Sequence, residues 1–124
     1  MDDYSRSNFK VFNDLSNPLY ISTNPSKTII YNSLGGAQTN TTLWTPATGL
    51  SIYLTAIQIS TAALLTVTIS LERADNDVFA VIRLTTTINS YNANYFSPIK
   101  FNPNETIYVT SSSGLDITLF GYET

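Results

Sequence analysis

The side chains able to do covalent or metal chemistry are few, and what is missing narrows the field first. The chain of 124 residues has no histidine and no cysteine. That removes the commonest general base, the thiolate nucleophile and the usual transition-metal ligands. Carboxylates and hydroxyls remain. Asp75 and Asp77, flanking Asn76, offer oxygens to Ca²⁺, but a calcium site needs about six or more of them. Two aspartates around an asparagine read first as turn chemistry. Glu72 with Asp116 or Glu105 has the composition of a glycosidase pair. Nothing in the sequence sets them across a cleft, so solvated surface is the expectation. We therefore expect no enzymatic activity, no metal and no cofactor. Trp44 and the eight tyrosines offer ring faces for stacking on sugars, although such rings also serve cores and interfaces. Gly35-Gly36 lacks the strand–turn–helix setting of a phosphate loop and reads as a turn. The Asn-x-Thr triplets at Asn40 and Asn104 are expected by chance in a chain with twelve Asn and eighteen Thr.

Composition excludes further classes. Six basic and nine acidic residues are spread thinly, giving a net charge of −3. There is no Lys/Arg clustering of the kind that binding to phosphates requires, so no nucleic-acid partner is expected. No apolar stretch reaches membrane-spanning length, and Met1-Asp-Asp-Tyr-Ser-Arg6 has neither the basic start nor the apolar run of a signal peptide. Ser, Thr and Asn together make 44 residues, while charged residues are only 12%. Such a surface is polar yet weakly protected against association. Thr favours strands and Asn favours turns, so the mixture suits short strands with Asn-marked corners.

The elements follow from alternation. Leu65, Val67, Ile69 and Leu71 alternate with Thr66, Thr68, Ser70 and Glu72, which marks a strand with one face in a core. In Leu50–Ser60, Ile52 and Leu54 hold one phase while Tyr53, Ile57 and Ile59 hold the other. Either a bulge near Thr55-Ala56 shifts the phase or both faces are covered. These two segments are expected to form a central hairpin through Ser60–Ala63. Asp75–Asp77 turns into Val78–Thr85, where Val78, Ala80, Ile82 and Leu84 share a face. Thr86–Asn94 reads as polar loop, and Tyr95–Phe101 as a strand placed at an edge or bent by Pro98. Thr106–Thr110 and Leu115–Tyr122 complete the set, with Thr42–Thr45 before the central pair. About seven strands at roughly ten-residue spacing predict an all-β, antiparallel β-sandwich, jelly-roll-like, with about 7–8 strands.

Residues 1–41 differ in texture. Scattered apolar residues are separated by Asn17-Pro18 and Asn24-Pro25, which excludes long helix. Short extended pieces such as Leu19–Ile21 and Thr28–Tyr31 are expected within it. The division is an extended N-terminal arm over 1–41 and a sandwich domain over 42–124. The arm either adds edge strands to its own sandwich or reaches a neighbour by strand addition. In the second case Phe9, Val11, Phe12, Leu19, Ile21, Ile29, Ile30 and Tyr31 are the inter-subunit contacts. Strands 51–60 and 78–85 carry apolar residues in both phases, which also favours association.

The run Thr41-Thr-Leu-Trp-Thr-Pro-Ala-Thr-Gly-Leu-Ser-Ile-Tyr-Leu-Thr-Ala-Ile-Gln-Ile-Ser60 resembles the opening of small single-sandwich virion proteins of tailed bacteriophages. Asn104-Glu-Thr-Ile-Tyr-Val-Thr-Ser-Ser112 and Asp116-Ile-Thr-Leu-Phe-Gly-Tyr-Glu123 are similar to their late and closing strands. The resemblance covers residues 41 to 124 and leaves the arm without a counterpart. It implies a non-enzymatic virion structural protein, assembled in the host cytoplasm, acting in head decoration, at a vertex, or in a tail or fibre. Its implied partners are major capsid or tail proteins and copies of itself, with a trimer favoured, and no membrane. A secreted carbohydrate-binding sandwich using Trp44 and exposed tyrosines is the alternative.

Overall fold

The computed structural model describes residues 26–124. Eight strands follow in order: β1 Thr28–Leu34, β2 Gln38–Trp44, β3 Ile52–Ser60, β4 Val67–Arg73, β5 Asp77–Leu84, β6 Ser90–Lys100, β7 Ile107–Ser111 and β8 Leu115–Glu123. They make two four-stranded sheets, ordered β1-β8-β3-β6 and β2-β7-β4-β5, with every pairing antiparallel. The pairs β4·β5, β3·β6, β2·β7 and β1·β8 nest around one turn, at Ala74–Asn76. The chain is thus a long hairpin folded at that turn and wrapped into two layers, the jelly-roll topology.

The core lies between the sheets. Ile52, Leu54, Ile57 and Ile59 from β3 meet Val67, Ile69 and Leu71 from β4, with Ile107, Val109, Ile117 and Leu119 completing it. The change of phase in β3 is a bulge between Leu54 and Ala56. It keeps Ile52, Leu54, Ile57 and Ile59 all buried, as one uninterrupted period of two cannot. Gly121 of β8 sits against this bulge. A Cβ added there would lie 2.2 Å from the Tyr53 carbonyl oxygen, so only glycine admits so close a backbone approach. Opposite Thr55 the edge strand β6 loops out through Tyr95–Pro98, which places Pro98 where no ladder bond is needed and leaves Phe96 fully exposed.

Four expectations are corrected. β3 and β4 do not form a hairpin, because they lie in different sheets and residues 61–66 carry the chain across the sandwich. The hairpin is β4–β5. Leu65 is outside the strand and exposed, the core phase beginning at Val67. Residues 90–94, read as loop, open β6; Ser90, Asn92 and Asn94 face outward opposite Ser60, Gln58 and Ala56, so the strand lacks the apolar alternation that would betray it. Finally, residues 28–41 are not a separate arm: β1 pairs with β8 along Thr28–Leu34 and β2 with β7. The sandwich starts at Thr28, and the rest of the expected arm, residues 1–25, lies outside the described residues.

Candidate functional site

The acidic side chains are drawn into separate structural roles. Glu105 is buried and accepts from Arg73 at 2.9 Å (Nη2) and 3.2 Å (Nε) and from the Asn102 amide at 2.7 Å. The Arg73 hydrogen bond holds the Glu105 carboxyl below its ordinary value despite burial, and the same bond raises Arg73. The guanidinium also lies 4.8 Å over the Phe101 ring, which meets Phe79 edge-on at 5.2 Å. Glu72 accepts from the Thr110 hydroxyl on the outer face of the second sheet. Asp116 is exposed on the outer face of the first, where the Tyr31 hydroxyl donates to it at 3.5 Å. These acids are not gathered around one cleft. Among the described residues no group of three or more His, Cys, Asp or Glu could hold a metal ion.

Trp44, residues 47–51, Asn104 and residues 123–124 converge at one end of the sandwich. Glu123 accepts from the Trp44 indole at 2.7 Å and from the Ala47 amide at 2.9 Å. Gly49, with φ of +85°, donates its amide to the Asn104 side chain at 2.6 Å. The Asn104 amide, in a left-handed turn, donates to the Leu50 carbonyl, and Ser51 and Thr124 exchange two backbone bonds. These residues are a clasp that ties the corners of both sheets. Trp44 is only 3% exposed, which decides between the two uses open to it: its ring is core, its N–H is spent on Glu123, and it offers no face for sugar stacking.

The opposite end is built differently. Four loops meet there, residues 35–37, 61–66, 85–89 and 112–114, and none carries a charged side chain. Leu64 is 91% exposed, Ile88 66% and Leu65 55%. The loops are nevertheless held. Thr61 donates its amide to the Asn89 carbonyl and its hydroxyl to the Gly114 carbonyl. The Thr85 hydroxyl accepts from Ile88, and the Thr85 amide donates to the Ile88 carbonyl. Beside them a depression of about 310 Å³ is lined by Leu34, Ala62, Ala63, Gly114 and Leu115 together with Thr61, Ser113 and the charged Asp116 of β8. Ordered backbone thus presents apolar side chains to solvent, an arrangement that suits an interface. Leu64 and Ile88 were not singled out from the sequence; the signal was there in a Leu-Leu pair ahead of the alternation and a lone Ile in a polar run.

Of the expected inter-subunit residues, Ile29 and Tyr31 project from the outer face of edge strand β1, 65% and 62% exposed, whereas Ile30 packs against the core of its own subunit. Phe9, Val11, Phe12, Leu19 and Ile21 lie outside the described residues. No protein-family model matches the chain, and comparison with curated proteins finds no match.

Proposed function

We propose that this chain is a non-enzymatic structural protein of a virion, a head-decoration, vertex or tail/fibre component, that self-associates and docks on major capsid or tail proteins. The observation that carries the reading is the uncharged loop end with Leu64, Leu65 and Ile88 exposed on hydrogen-bonded loops. When copies meet around a symmetry axis, each loop faces its own kind. A charged end would repel itself there; an apolar, uncharged one gains burial with no such penalty. The jelly-roll topology and the resemblance of residues 41–124 to phage virion proteins support the setting. A homo-oligomer, with a trimer favoured, is the assembly in this reading. Sedimentation velocity on the full chain tests it. The parent is expected to sediment as an oligomer whose stability does not fall with added salt, because no ion pairs hold this end. Leu64→Asp with Ile88→Asp is expected to yield a folded monomer. A parent that stays monomeric at all concentrations refutes self-association.

A further inference from the structure

The outer face of the β1-β8-β3-β6 sheet carries a trough that neither the loop end nor the clasp accounts for. Three depressions lie along it, of about 290, 350 and 520 Å³. The first and second share Gln58 and Asn92; the second and third share Ala56, Asn94 and Phe120. They are therefore one continuous groove following the strands. Along β3 it runs from Ser60 to Thr55, roughly 17 Å at the usual rise per residue.

The lining is unusual for a surface meant only to be solvated. Cross-strand register sets Tyr31, Thr118, Gln58 and Asn92 in one row and Ile29, Phe120, Ala56 and Asn94 in the next. The floor thus offers three primary amides and a hydroxyl, with the Tyr31 and Phe120 rings alongside. Among the described residues, charge appears only at the two ends, as Asp116 and Lys27. Gln58, Asn92 and Asn94 are exposed, and among the described residues their amides take no hydrogen-bond partner. An amide is donor and acceptor in one side chain, as is a hydroxyl group. A row of them, uncharged and flanked by aromatic rings, matches a ligand that carries many hydroxyls, apolar C–H faces and no charge. It does not match phosphate, which calls for cations, nor an apolar protein surface, which would leave the amides unpaired.

We propose that this groove binds a neutral oligosaccharide, with Gln58, Asn92 and Asn94 reading its hydroxyls and the Tyr31 and Phe120 rings packing against the sugar faces. The site lies on the outer face of the sheet, and Leu64, Leu65 and Ile88 are not part of its lining. In an assembly it is repeated once per subunit, so weak single sites sum to firm attachment on a polyvalent glycan.

The test is a printed array of neutral and acidic oligosaccharides probed with the full chain, followed by calorimetric titration of the strongest neutral ligand. Binding to a neutral oligosaccharide is expected. Gln58→Ala with Asn92→Ala, on an exposed face, is expected to weaken it at least tenfold with the melting temperature kept. Tyr31→Phe is expected to retain binding and Tyr31→Ala to lose it. Leu64→Asp is expected to leave single-site affinity unchanged, which separates this site from the assembly surface. Absence of binding, binding to acidic glycans alone, or affinity that survives the double amide substitution overturns the proposal.

Discussion

At one end of the sandwich, the loops 45–51 and 101–106 spend their polar groups on one another: Trp44 and Ala47 on Glu123, Gly49 on Asn104, Arg73 on Glu105. At the other, loops of similar length use their polar groups only to hold their own backbone, and point Leu64, Leu65 and Ile88 outward. The same topology supports both. Charged and aromatic side chains at the first end are consumed in closing the fold, so conserving those groups there says little about a ligand. Among the described residues the second end offers no such partners for its apolar side chains, and in the proposed assembly another copy supplies them. A clasp and a proposed interface are thus told apart by where the side chains find their partners.

Substitutions at the two ends should therefore differ in kind, from a large loss of stability to almost none. Gly121→Ala drives a Cβ against the Tyr53 carbonyl at the β3 bulge and is expected to destabilise by about 3 kcal/mol, a fall in melting temperature on the order of 10 °C. An unchanged melting temperature would mean that the bulge is not the tight backbone approach described.

Glu105→Gln, which leaves Arg73 without its charged partner, is expected to lower stability by about 2 kcal/mol near neutral pH. The sign with pH follows from the lowered carboxyl. A group whose folded value is depressed stabilises fully above its unfolded value of roughly 4.3 and loses that contribution as pH falls through the folded value. Thermal melts of parent and variant should converge in acid and separate toward neutrality; a gap independent of pH would contradict the ion pair.

Leu64→Asp is the opposite case. Its side chain is almost fully solvated in the single subunit, so stability of the monomer should change by no more than about 0.5 kcal/mol, while association is lost. Chemical denaturation at low protein concentration measures the first, and light scattering at high concentration the second.

Much of the fold was legible because half-buried strands write their burial as alternation. Val67, Ile69 and Leu71 announce their face, and the phase change around Thr55-Ala56 correctly offered a bulge. What alternation cannot carry is which sheet a strand joins. β3 and β4 read as a hairpin because they are adjacent in sequence, yet the jelly roll sends nearly every connection across the core. The start of β6 was hidden because its outward row, Ser90, Asn92 and Asn94, is polar and its inward row is only Tyr91 and Ala93. Those same amides form the floor of the groove, so the strand hardest to see is the one that carries the proposed binding site. Trp44 stayed open for a different reason: an aromatic ring signals burial and sugar stacking alike, and its burial with the Glu123 partner across the fold decides between them.

The contrast between the ends is tested most directly by hydrogen–deuterium exchange on the full chain, compared between a concentration at which it is assembled and one at which it is dissociated. Exchange resolves local protection segment by segment. The account predicts that dissociation raises exchange in 61–66 and 85–89 while 45–51 and 101–106 stay as protected as before. Equal protection of 61–66 and 85–89 in both states, or a loss of protection confined to the clasped end, would contradict it.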